Sequence, residues 1–146
     1  MDKSVFIATV GNRDLLYKGQ EIRPARIEGE KLLEKLKHES ENFEIPIILP
    51  ALKHALRHSS VARIILLVTD QPEHVDDEHR NNDTINFGKI IQTLLNNRKK
   101  EYDLDVDVKI TMFSVIANPT FIAGLLNSLQ PTLSQTMLRM RANDAE

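Results

Sequence analysis

Three short runs of apolar, mostly β-branched residues constrain this chain most. They are Val5-Phe6-Ile7-Ala8-Thr9-Val10, Ile64-Ile65-Leu66-Leu67-Val68 and the stretch from Val106 to Val115. The first two are apolar on both faces, as strands buried inside a parallel sheet must be. The third begins with strict alternation, Val106-Asp107-Val108-Lys109-Ile110, and places its strand nearer a sheet edge. Helical spacing fills the intervals. Residues 26–41 carry Ile27, Leu32, Leu33 and Leu36, and residues 47–59 carry Ile48, Leu52, Ala55 and Leu56 on one face, with Pro50 tolerated in the first turn. Asp83 reads as the N-cap of a helix with Phe87, Ile90, Ile91, Leu94 and Leu95 inward, and with Arg98, Lys99 and Lys100 in its last turn. Asn118 reads as a further N-cap, with Pro119 first in its helix and Phe121, Ile122, Leu125 and Leu126 following, and a last helix covers residues 132–141. Strands alternating with helices predict an α/β fold of Rossmann type: a three-layer parallel sheet, right-handed crossovers, and helices on both faces.

A chain of 146 residues suits one domain, residues 1–146, able to bury a core without staples. It has no cysteine, which excludes a disulfide framework and any thiolate zinc site and fits a reducing cytoplasm. The apolar run after Met1-Asp2-Lys3-Ser4 is too short for a secretion signal, and no segment is long and apolar enough to span a bilayer. The expectation is a cytoplasmic protein without a membrane partner. A net charge of -2 argues against duplex nucleic acid as the partner, while a small anionic ligand needs only a local cluster of donors.

In open parallel sheets, ligands bind beyond the carboxyl ends of the strands. That rule selects three polar loops. The first runs Thr9-Val10-Gly11-Asn12-Arg13-Asp14; the second starts Thr69-Asp70-Gln71 and continues to Arg80-Asn81-Asn82-Asp83-Thr84; the third is Ala117-Asn118-Pro119-Thr120. Their hydroxyl and amide groups suit base edges and ribose or phosphate oxygens. Two of them lead into helix N-termini, where backbone N–H groups face outward. For any single residue, capping explains the same chemistry, so the argument rests on three such loops sharing one edge. Neither the G-x-G-x-x-G fingerprint nor a P-loop is present, which disfavours ordinary dinucleotide or NTP binding. His74, Asp76, Asp77, Glu78 and His79 match no metal-ligand spacing and read as a charged surface loop, so no metal and no cofactor is expected. His54 and His58 share a helical face but lack the glutamate of a zinc-protease motif. There is no G-x-S-x-G elbow and no thiol nucleophile.

At these loops the sequence resembles the CRISPR-associated Rossmann fold family, the CARF domains. The likeness is carried by the first strand closing on Thr9-Val10-Gly11-Asn12-Arg13-Asp14, by Leu67-Val68-Thr69-Asp70-Gln71 followed by a polar loop and Asp83-Thr84-Ile85, and by Asn118-Pro119-Thr120 opening a helix. It covers residues 5–129. The resemblance implies a sensor of cyclic oligoadenylate, a second messenger of type III CRISPR antiviral defence. It also implies a homodimer with the cyclic tetra- or hexaadenylate ring across its two-fold axis, relaying binding to an effector. Thr9, Gly11, Asn12, Arg13, Thr69, Asp70 and Gln71 then line the ring, with Asn82, Asp83 and Thr84 as further candidates and Asn118 and Thr120 on the third loop. The chain departs from the family in two ways. The family's fourth core strand and the Gly/Thr-rich loop after it have no counterpart before Glu146, so the domain is expected to be shortened at its carboxyl end, a piece of a longer protein, or completed by a partner chain. The loop over residues 73–83 is acidic, which is unfavourable beside an anion. No Arg followed four to six residues later by His, as a HEPN ribonuclease requires, occurs. Two rival readings stand: a metal-independent ring nuclease on the same scaffold, which needs orientation more than a dedicated base, and a protein-interaction module with no small ligand. A sensor without enzymatic activity is the leading expectation.

Overall fold

The computed structural model describes residues 3–115. Strand β1 (Lys3–Thr9) pairs in parallel with β5 (Ser60–Thr69), which pairs in parallel with β6 (Lys109–Val115), in the order β1-β5-β6. The register runs Phe6 opposite Ile64 and Thr9 opposite Leu67, then Leu67 opposite Phe113, with one irregularity between Ser4 and Val5. The carboxyl ends of all three strands therefore meet at one edge.

Alternation along these strands divides the core. Phe6, Ala8, Val10, Ile64, Leu66, Val68 and Ile110 face the helices. Against them pack Leu32 and Leu36 of α1 (Ala25–Glu39), Ile48, Leu52 and Ala55 of α2 (Ile48–Leu56), and Phe87, Ile90, Ile91, Leu94 and Leu95 of a helix over Ile85–Asn97. A short helix, α3 (Asp77–Arg80), precedes that one, which is therefore α4. Val5, Ile7, Ile65 and Leu67 alternate to the opposite face and form a second, smaller buried cluster, with Phe113 packed on it. All the long helices among the described residues thus join one face of the sheet. The helices expected over residues 118–141 lie outside the described residues. The α/β class and the parallel sheet are as the sequence predicts.

Helix α4 approaches the sheet closely at Gly88. A Cβ there would run into Val68 and come within 2.7 Å of the Met112 sulfur. Helices α1 and α4 also touch closely, since a Cβ on Gly29 would sit 3.0 Å from the Asn86 Cβ.

Between β1 and α1 the chain makes a small antiparallel sheet from β2 (Leu16–Tyr17) and β3 (Gln20–Glu21), with β4 (Phe43–Glu44) on the other side of β2. Lys18 (φ 51°) and Gly19 (φ 77°) form its two-residue turn, both left-handed as a twisted hairpin requires. The Tyr17 ring lies 5.1 Å from that of Phe43, and its hydroxyl donates to Glu39 Oε1 at 2.8 Å. That bond to a carboxylate raises the Tyr17 phenol above its ordinary value and lowers Glu39.

Three local expectations are corrected. Val106 does not begin the third strand: it is 79% exposed, and the Val108 amide donates to the Asp105 carbonyl in a turn that delays β6 to Lys109. The alternation of residues 106–108 comes from that turn. Arg98, Lys99 and Lys100 lie beyond the last turn of α4. Arg98 instead donates to the Ser40 carbonyl at 2.8 Å, and Lys99 to the Val108 carbonyl at 2.7 Å, tying neighbouring loops to the helix end. Asp83 does not cap α4; the N-cap position belongs to Thr84.

Candidate functional site

The first two predicted loops do meet at the carboxyl edge, because β1 and β5 are adjacent and parallel. The Val10 amide donates to the Leu67 carbonyl at 2.8 Å, carrying the pairing one residue past the strand. Directly after it the chain turns. The Asp14 carboxylate accepts from the Gly11 amide at 2.5 Å, and the Asp14 amide donates to the Gly11 carbonyl at 3.2 Å. Asp14 is buried, so this turn is built around an internal acceptor.

The second loop is closed at its base in the same way. The Thr69 amide donates to Thr84 Oγ1 at 3.1 Å, and the Thr84 amide donates to Thr69 Oγ1 at 3.0 Å. These reciprocal bonds fasten the end of β5 to the start of α4. One residue outward, the Asp83 carboxylate accepts from the Gln71 amide at 2.7 Å and from Gln71 Nε2 at 3.2 Å. Asp83 is 1% exposed, so its negative charge lies inside the protein beside the N-terminus of α4, where the helix dipole favours it.

The candidate residues therefore separate into two sets. Thr69, Asp83 and Thr84 use their polar atoms to build the edge, as does the Gly11 amide. Arg13, Asp70 and Asn82 are exposed; Thr9, Gly11, Asn12 and Gln71 are half-buried. The Asn12 Oδ1 atom is shielded from solvent and accepts no hydrogen bond from the described residues. Asn82 Nδ2 donates to the Glu78 carbonyl at 3.2 Å. Asn118 and Thr120 lie outside the described residues.

Two contacts that sequence reasoning missed shape the surroundings. Arg26, in the first turn of α1, donates from Nη2 to Asn81 Oδ1 at 2.9 Å, while its amide donates to the Asn81 carbonyl at 2.9 Å. Asn86 Nδ2 donates to the Arg26 carbonyl at 2.8 Å. Through these bonds α1 and the second loop share one wall. They join residues more than fifty positions apart, which no local pattern reveals.

The loop of residues 73–80 is exposed except for Val75 and Arg80, and Arg80 lies 3.8 Å from Asp77 within it. Asp76 caps α3, accepting from the His79 amide at 3.1 Å, and its Oδ1 lies 2.7 Å from His79 Nδ1. The side-chain bond lowers Asp76 below the usual carboxylate range and raises His79 above the usual imidazole value. Among the described residues no three His, Asp or Glu side chains gather as metal ligands would. The rings of His54 and His58 lie 4.8 Å apart, both residues being exposed.

A depression of about 480 Å³ lies at the opposite edge of the sheet, lined by Lys53, Arg57, Ser60, Tyr102 and Asp103 among others. A second, of about 310 Å³, adjoins it at Ser60, Val61 and Asp105. Neither receives a helix N-terminus or the carboxyl end of a strand, so the polar edge at Gly11 and Thr69 remains the stronger candidate despite its openness. No family model matches the chain, and neither does any curated protein or solved structure.

Proposed function

We propose that the carboxyl edge of the sheet binds a cyclic oligoadenylate and that the protein acts as a homodimeric sensor in type III CRISPR antiviral defence, passing ligand binding to an effector. The observation that carries this reading is the convergence of the Gly11–Asp14 turn and the Thr69–Gln71 segment at the ends of two adjacent parallel strands, each stiffened from within. Pre-ordered loops lose little freedom when a ligand arrives, which favours affinity. The edge of one copy is open, and a ring on a two-fold axis takes its other wall from the second copy. In this reading the side chains of Asn12, Arg13, Asp70 and Gln71 contact the ring, while Thr69, Asp83 and Thr84 hold the edge in shape. The reading includes the full three-layer Rossmann fold, with a second helical layer over Val5, Ile7, Ile65 and Leu67, and a cytoplasmic location.

The test is a thermal shift with cyclic tetra- and hexaadenylate against AMP, run beside light scattering for mass. A dimer whose melting temperature rises with one of the rings, and not with AMP, supports the reading. A monomer indifferent to both rings would overturn it. Recovery of linear product from the ring after long incubation would reassign the site to a nuclease.

A further inference from the structure

Arg13 has a neighbour that the sequence does not suggest. Its Nε lies 3.7 Å from Glu21 Oε1, while the other oxygen of that carboxylate, Oε2, lies 2.9 Å from Arg23 Nη2. One carboxylate on β3 thus bridges two guanidinium groups, one from the first ligand loop and one from the hairpin's return to α1. The remaining ion pairs among the described residues all join positions three apart, so Arg13 to Glu21 is the longest-range pair there. All three side chains reach solvent, with exposures of 76% for Arg13, 59% for Arg23 and 43% for Glu21. Two cations against one anion leave a positive charge in excess at this corner.

We propose that Glu21 is a built-in stand-in for a ligand phosphate: it holds Arg13 and Arg23 together at the ligand edge, and an arriving phosphate displaces it and takes both arginines. The proposal deepens the function proposed above and rests on its placement of the ligand. Three physical points carry it. Water-exposed carboxylate–guanidinium pairs are weak, so Glu21 leaves at little cost. A guanidinium offers a planar fork of donors that fits a phosphate's paired oxygens at least as well as a carboxylate's. Glu21 also offsets the repulsion between the two like charges before the ligand comes, which favours both arginines lying at the same corner. The site takes a phosphodiester or polyphosphate anion. Arg23 becomes a specificity residue outside the strand-end loops, and Glu21 sets the threshold of the response.

The experiment titrates the whole chain, labelled with nitrogen-15, with inorganic tripolyphosphate and separately with cyclic tetraadenylate. It follows the Arg13 and Arg23 Nε–H signals by NMR, for the native protein and for Glu21→Gln and Arg23→Ala. Both anions are expected to shift both arginine signals. Glu21→Gln should tighten binding roughly threefold and Arg23→Ala weaken it roughly fivefold, as expected for a charge-assisted contact open to water. Arg23→Ala should also make binding less sensitive to added salt, as the loss of one exposed cation requires. If tripolyphosphate follows this pattern and the ring does not bind, the arginine–glutamate site stands and the cyclic ligand falls. If the ring binds while both variants stay within twofold of the native protein, the ring reading stands and this proposal is overturned. Arginine signals that respond to neither anion overturn it as well.

Discussion

Replacing Asp83 by alanine separates a scaffold role from a ligand role at the candidate site. The carboxylate is 1% exposed and accepts from the Gln71 amide at 2.7 Å and from Gln71 Nε2 at 3.2 Å. Hydrogen bonds to a charged acceptor contribute about 1.5–3 kcal/mol each, and a buried donor left without a partner loses its full hydration. Gln71 is only half-buried, so its side-chain amide recovers water once freed. The backbone bond is then the main loss, together with a small void. The sum is about 2–3 kcal/mol. For a domain of this size a kilocalorie corresponds to about 2–4 °C, so the melting temperature should fall by about 5–10 °C. Asp83→Asn keeps one acceptor and should cost about 1 kcal/mol. Urea unfolding is the assay, with the midpoint falling and the slope unchanged. An Asp83→Ala protein within about 0.5 kcal/mol of the native one would refute the scaffold reading and return Asp83 to the list of free ligand groups.

Gly88→Ala should destabilise by about 1–3 kcal/mol despite alanine's better helix propensity, because the methyl enters space held by Val68 and Met112; chemical denaturation measures it. Arg98→Ala should cost about 1–2 kcal/mol through the lost bond to the Ser40 carbonyl, also read by denaturation. His79 should titrate above the ordinary imidazole value by NMR, and Asp76→Asn should bring it down. Because its folded value is the raised one, the support that His79 gives α3 is present below the unfolded value and lost as pH rises through the folded one. Glu39→Gln should lower the Tyr17 phenol toward its ordinary value, followed by ultraviolet titration.

The large elements were legible because their signals are local and repeated. Phe6, Ala8, Ile64 and Leu66 lie in runs with no polar interruption, and Ile90, Ile91, Leu94 and Leu95 recur at helical spacing. Strands β2, β3 and β4 span two residues each, too few for any period to show. Val106-Asp107-Val108 imitated a strand because a turn that exposes Val106 and buries Val108 can alternate as a strand does. The positions of the first two loops followed from strand direction. The division of labour inside them did not, because it depends on partners twelve to fifteen residues away: Asp83 with Gln71, and Thr84 with Thr69.

The reciprocal threonines have a consequence for how this protein tolerates change. They and the Asp83–Gln71 bonds close the second loop at its neck, so the stretch beyond is a tethered excursion whose ends are already together. Lengthening a flexible segment whose ends are pinned is thermodynamically mild, about 0.6 kcal/mol for each doubling. Residues 72–80 are therefore the place where insertions and wholesale exchanges of sequence leave the sheet register untouched. New recognition surfaces can be grown there while the neck stays fixed.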